Sequence, residues 1–134
     1  MENWPPLSQA SDGPTIAMLH LVAQMIGKVP TALLPWRNHG WHLTLHLTPR
    51  GLGTELVHAG PRCFDLTLDM VEHRLVLGAL DAAGSVALPG KSIAQAHGEL
   101  LAMLGNAGLP ISFHPAPNEV EPATPFSEDV EPRH

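Results

Sequence analysis

Nine histidines and no tyrosine in 134 residues make imidazole the main chemistry-bearing group of this chain. Two of them, His42 and His46, fall where side chains alternate most clearly. Trp41, Leu43, Leu45 and Leu47 point one way and His42, Thr44, His46 and Thr48 the other, the period of a strand with one buried face. A second alternating run covers residues 62–70, with Phe64, Leu66, Leu68 and Met70 opposite Cys63, Asp65, Thr67 and Asp69. One antiparallel register keeps both apolar faces on the same side, and it sets His42 beside Asp69 and His46 beside Asp65. A carboxylate beside an imidazole favours its charged form and fixes its tautomer, which suits a general base or the support of a metal ligand. Cross-strand ion pairs on a solvated sheet face use the same arrangement, and that is the more ordinary expectation.

A shared metal is not expected. In a regular strand the Cα atoms of His42 and His46 lie about 13 Å apart, at about 3.3 Å per residue, too far for one zinc ion bound at about 2 Å. Cys63 is expected beside Thr48 as a small buried residue, and His97 as a hydrogen-bonded core histidine. The polar aromatic turn before the strand supplies the ligand-binding candidates Trp36, Arg37, Asn38, His39 and Trp41, joined by Arg50 from the next turn. No glycine-rich nucleotide motif is present, since Arg50-Gly51-Leu52-Gly53 lacks a third glycine and a following helix. No cofactor is expected.

The elements that must position these residues read as an α+β domain: an antiparallel sheet of four to six strands with two helices packed on one face. Residues 1–13 read as an extended arm, 14–114 as the single domain, and 115–134 as a Pro-rich acidic tail. Pro14 is expected to open the first helix, and Gly27 and Pro30 to end it. His20, Gln24 and Lys28, four apart, form a polar stripe expected to meet water. Residues 54–58 suggest a weak strand, and 74–80 and 85–88 continue an antiparallel meander. Ser92 followed by Gln95 is a capping-box signature for a second helix closed by Gly108. Residues 110–114 read as a last strand. The tail holds five prolines and five acidic residues and is expected to be disordered or draped over a partner.

Charge narrows the partners. Seven Lys+Arg against thirteen Asp+Glu give a net charge of −6, which argues against nucleic acid and against an anionic membrane surface. A single cysteine excludes an internal disulfide, the N-terminus lacks the features of a signal peptide, and no apolar run reads as a bilayer span. A cytoplasmic protein is the expectation.

At Ile26-Gly27-Lys28, Pro35-Trp36-Arg37-Asn38-His39-Gly40-Trp41-His42, Arg50-Gly51-Leu52, Glu72-His73-Arg74-Leu75 and Pro117-Asn118-Glu119-Val120 the chain resembles a bacterial family of unknown function, DUF5996. The resemblance runs from about Leu19 to Asp129. It implies no assigned activity, so no catalytic residue carries over. Family members run longer, and the chain resembles their N-terminal half alone. Where the family's pattern has an aromatic, this chain has Gly40, and another is missing near His46; an Asp is replaced by Glu72.

The expected function is a small-ligand or partner-binding module. The alternative is an enzyme using His42 or His46 as general base, oriented by Asp69 or Asp65. The 74–80 strand puts Val76, Gly78 and Leu80 on the polar face, which predicts a cover for that face. A homodimer would supply it.

Overall fold

The computed structural model describes residues 3–109 and 111–133. Its centre is β4 (Arg62–Asp69), the longest strand, in which Phe64, Leu66 and Leu68 are fully buried. That alternation is what the sequence predicts for a strand with one face on a core. β5 (Arg74–Ala79) pairs along it through Leu66↔Leu77 and Leu68↔Leu75, and β6 (Ala83–Ala87) pairs with β5. On the other side of β4 lie two short strands, β2 (Gly51–Gly53) against its second half and β3 (Val57–Ala59) against its first. Thr54 bridges the gap between them. Its backbone N–H donates to Leu66 O and its hydroxyl accepts the Leu66 N–H. β1 (His46–Thr48) is the outermost strand, paired with β2. The result is a six-stranded antiparallel sheet in the order β1-β2-β4-β5-β6, with β3 also on β4.

α1 (Gln9–Leu33) and α2 (Ile93–Asn106) pack together with the inner face of the sheet, as the α+β reading expects. Val22, Met25, Ile26 and Val29 of α1 meet Ile93, Ala96, Leu100 and Leu104 of α2 in one core with the β4 leucines. The capping box of α2 is formed on both sides: Ser92 Oγ accepts the Gln95 N–H, and Gln95 Oε1 accepts the Ser92 N–H.

Several boundaries differ from expectation. α1 starts five residues before Pro14 and runs past Gly27 and Pro30 to Leu33. Proline cannot donate a backbone hydrogen bond, yet the last turn is closed, with the Leu34 N–H donating to Pro30 O and Thr31 Oγ1 donating to Gly27 O. α1 also has the length and hydropathy of a membrane span, a mean hydropathy of 1.4, contrary to the sequence expectation. Its apolar side is built into the core, and a core helix passes the same test.

The expected strand at 41–48 is largely absent. Residues Asn38–Leu43 form 3₁₀ turns that meet at left-handed His39 and Gly40, and only His46–Thr48 is strand. Nor does that strand reach β4, because β2 holds the place. At Gly51 an added Cβ would lie 2.1 Å from Leu68 O, so this close approach admits only glycine. The pairs His42/Asp69 and His46/Asp65 therefore do not form.

The tail is neither disordered nor loose in the described part. Phe126, in the 3₁₀ turn Phe126–Glu128, is fully buried in the core, and its N–H donates to Pro115 O. Ala94 N–H donates to Asp129 O, and Arg133 N–H donates to Lys91 O. Residues 111–114 form no strand, although Ile111 and Phe113 pack on the core; Pro110 lies outside the described residues. The stripe on α1 does not simply meet water: Gln24 Oε1 accepts the Asn118 N–H and Gln24 Nε2 donates to Asn118 O. Lys28 is buried, which pushes its ammonium down from the ordinary lysine range.

Candidate functional site

Residues 35–43 leave the end of α1 and turn back before β1. Positive φ at His39 (58°) beside Gly40 (66°) reverses the chain. A left-handed histidine is a mildly strained position held by its surroundings. The Gly40 N–H donates to Arg37 O at 3.0 Å across this turn, and His42, 3% exposed, lies beneath it, its Nδ1 accepting the Arg37 N–H at 3.2 Å. That acceptor role leaves the ring proton on Nε2. The Trp36 indole meets the His42 ring edge-on at 5.2 Å, and His39 lies tilted against Trp41 at 6.5 Å. The indoles themselves face outward, Trp36 being 73% and Trp41 68% exposed. Asn38 and His39 are exposed as well.

Beyond the loop, Arg37 Nη1 reaches Glu55 at 3.2 Å, and His46 Nε2 lies 3.8 Å from the same carboxylate. Glu55 thus ties the loop to β1. It falls in the gap between β2 and β3, and sequence alone gives no sign of that meeting.

The four expected catalytic candidates are dispersed. His42 is a buried support and His46 an exposed edge residue near Glu55. Asp65 is exposed on the outer sheet face, in register with Gly78. Asp69 is 2% exposed and committed to the β4–β5 turn: Oδ1 accepts the N–H groups of Val71 and Glu72, and Oδ2 accepts from Arg50 Nε at 2.7 Å. The Arg50 hydrogen bond and the turn amides hold the Asp69 carboxyl below the usual carboxylate range. Arg50 also lies 3.5 Å from Glu72, so it clamps the turn and stands apart from the tryptophan loop.

Cys63 is exposed instead of buried, and its neighbour is His58 across β3, with Sγ 3.4 Å from Nδ1. His97 sits half-buried between Phe113 and Phe126, and desolvation pulls its pKa down from the ordinary histidine value. Among the described residues no group of three or more His, Cys, Asp or Glu could hold a metal ion.

The fold and this loop define an α+β domain that carries two exposed indoles beside an antiparallel sheet. The chain belongs to DUF5996, a family of unknown function, whose family model matches residues 4–134. That match takes in nearly the whole chain, not only an N-terminal half, and so extends the resemblance at both ends. No curated protein and no solved structure matches the chain.

Proposed function

We propose that this domain is a binding module and that residues 35–43 are its recognition surface, meeting a partner chain in preference to a small molecule. The observation that carries this is the pair of outward indoles on a backbone fixed from beneath by buried His42. Exposed large aromatics are costly on a surface with no use for them, and Trp and Arg are the residue types that most often dominate protein interfaces. A preformed loop adds affinity because little order has to be imposed on binding. Arg37 and Asn38 supply polar contacts at the same surface. The general-base alternative lacks its geometry, since Asp69 is engaged by Arg50 and His42 by the Arg37 amide.

The test compares wild type with Trp36→Ala/Trp41→Ala in affinity capture followed by titration of the purified partner. A thermal-shift screen of small metabolites runs beside it. Partner binding lost in the double variant, with unfolding temperature unchanged, supports the proposal. A metabolite shift lost in the double variant moves the surface to small-ligand binding. Binding indifferent to both indoles overturns the loop as the recognition surface.

A further inference from the structure

The two edges of the sheet are built differently. On one side the edge is broken into β1 and β3, three residues each. On the other, β6 runs for five residues, Ala83-Gly84-Ser85-Val86-Ala87, without a charge, a proline or a break in its register with β5. Short strands, charged side chains, prolines and bulges are the usual protections of a sheet edge against pairing with another strand. β6 carries no charge, proline or bulge, and it is the longer edge.

The ladder decides which of its backbone groups are left over. The Ala79 N–H donates to Ala82 O and the Leu88 N–H donates to His73 O, at the two ends of the β5–β6 pairing. Hydrogen-bonded and non-hydrogen-bonded positions alternate in an antiparallel pair, so Gly84 and Val86 turn their N–H and C=O groups to β5. Ala83, Ser85 and Ala87 turn theirs to the open edge, where no further strand pairs among the described residues. All three are exposed. On the helix side a cavity of about 440 Å³ lies between β6 and Ala102, Met103 and Asn106 of α2, so the helix leaves this edge uncovered.

The strand is complementary to itself. Its outward residues are placed evenly about Ser85, so a twofold axis there sets two β6 strands antiparallel, with Ser85 opposite Ser85 and Ala83 opposite Ala87. Every outward N–H then meets a C=O, about six hydrogen bonds in all. On the inner face the same register sets Val86 of one copy opposite Gly84 of the other, a branched side chain against none. Charge agrees with this contact. A net charge of −6 makes two copies repel over most of their surface, but β6 is neutral and the acids beside it are already paired, Asp81 with Arg62 and Glu99 with Lys91. No position in the register puts like charges opposite each other.

We infer that two copies of this chain join edge to edge through β6, about a twofold axis at Ser85, so that two six-stranded sheets become one continuous sheet. Pairing through one five-residue strand is a small contact on the scale of stable interfaces, roughly 1,200–2,000 Å², and the dimer is therefore expected to be reversible.

Sedimentation equilibrium and a disulfide test of register read this directly. Wild type is expected to dimerise as concentration rises. Ser85→Pro removes an N–H that β5 does not use, a change an edge strand tolerates, and should weaken dimerisation about tenfold or more through the two axial hydrogen bonds lost per dimer. Ser85→Lys, on the exposed face, sets two like charges at the axis and should act in the same direction. Both variants should keep the wild-type circular dichroism. For register, Cys63→Ser/Ser85→Cys should cross-link in oxidised glutathione, because paired Cα atoms about 5.5 Å apart lie within disulfide reach. Cys63→Ser/Ala83→Cys should not, its two thiols being about 13 Å apart along the strands at about 3.3 Å per residue. A wild-type chain that stays monomeric at its highest soluble concentration overturns the inference, even if its edge captures some other extended peptide. A dimer indifferent to Ser85→Lys, or one that cross-links equally well through Ala83→Cys, overturns it too. The loop proposal stands or fails separately, because residues 35–43 precede β1 at the opposite edge of the sheet.

Discussion

Residues 35–43 and residues 115–133 are both irregular, both contain proline and both carry aromatic side chains, yet the fold uses them in opposite ways. The tail turns Phe126 into the core and spends its backbone on Pro115, Asp129–Ala94 and Arg133–Lys91 hydrogen bonds. The loop keeps its backbone in place with His42 and turns Trp36 and Trp41 to solvent. An irregular segment whose aromatics are buried is part of the stability of the domain. One whose aromatics are held outward on a fixed backbone is available to something else.

The sharpest way to break this contrast is to remove the tail's anchor. Phe126→Ala should cost about 3–5 kcal/mol, as large-to-small changes at fully buried aromatics do, and should lower the unfolding temperature by roughly 10 °C or more. A calorimetric shift of only a degree or two would mean that the tail adds nothing to the core.

A smaller effect is expected at the β4–β5 turn. Because Arg50 and the turn amides hold the Asp69 carboxyl below its ordinary range, the folded state favours its charged form more than the unfolded chain does. That stabilisation is complete above the unfolded value near pH 3.9 and is lost as pH falls through the folded value. Asp69→Asn should therefore be less stable than wild type at neutral pH, and the gap should close in acid. Urea unfolding across that range checks it, and a gap independent of pH would contradict it.

His97 sharpens the comparison from the tail's side. Burial disfavours its charged form in the fold, so stability is full above about pH 6.5. It declines as pH falls through that unfolded value, and levels off below the folded one. The ring contacts to Phe113 and Phe126 put this dependence on the tail clasp. His97→Phe should remove part of the drop in unfolding temperature between pH 7.5 and 5, and an identical drop in the variant would refute it.

Legibility in the sequence followed the regularity of each environment. β4, β5 and α2 were readable because their apolar residues repeat at the period of the element and end in the core, and because Ser92 and Gln95 sit at capping-box spacing. The loop was misread for the same reason. Trp41, Leu43, Leu45 and Leu47 alternate, but alternation marks a strand only where one set is buried, and Trp41 and Leu47 (88% exposed) are not. The left-handed turn at His39 leaves no mark in the side-chain pattern. Composition also hid the tail's role. A single phenylalanine among prolines and acids gives no period, and Gln24 meets Asn118 across 94 residues of chain. The candidate residues Trp36, Arg37, Asn38, His39 and Trp41 do share one loop, whereas Arg50 and the paired carboxylates belong to other parts of the sheet.

The contrast between the two segments is tested most directly by unfolding Trp36→Ala/Trp41→Ala beside Phe126→Ala under one set of conditions. The account predicts that the loop variant stays within about 0.5 kcal/mol of wild type, as exposed substitutions do, while the tail variant loses several kcal/mol. A loop variant destabilised as much as Phe126→Ala would show that the indoles serve the fold, and would contradict the account.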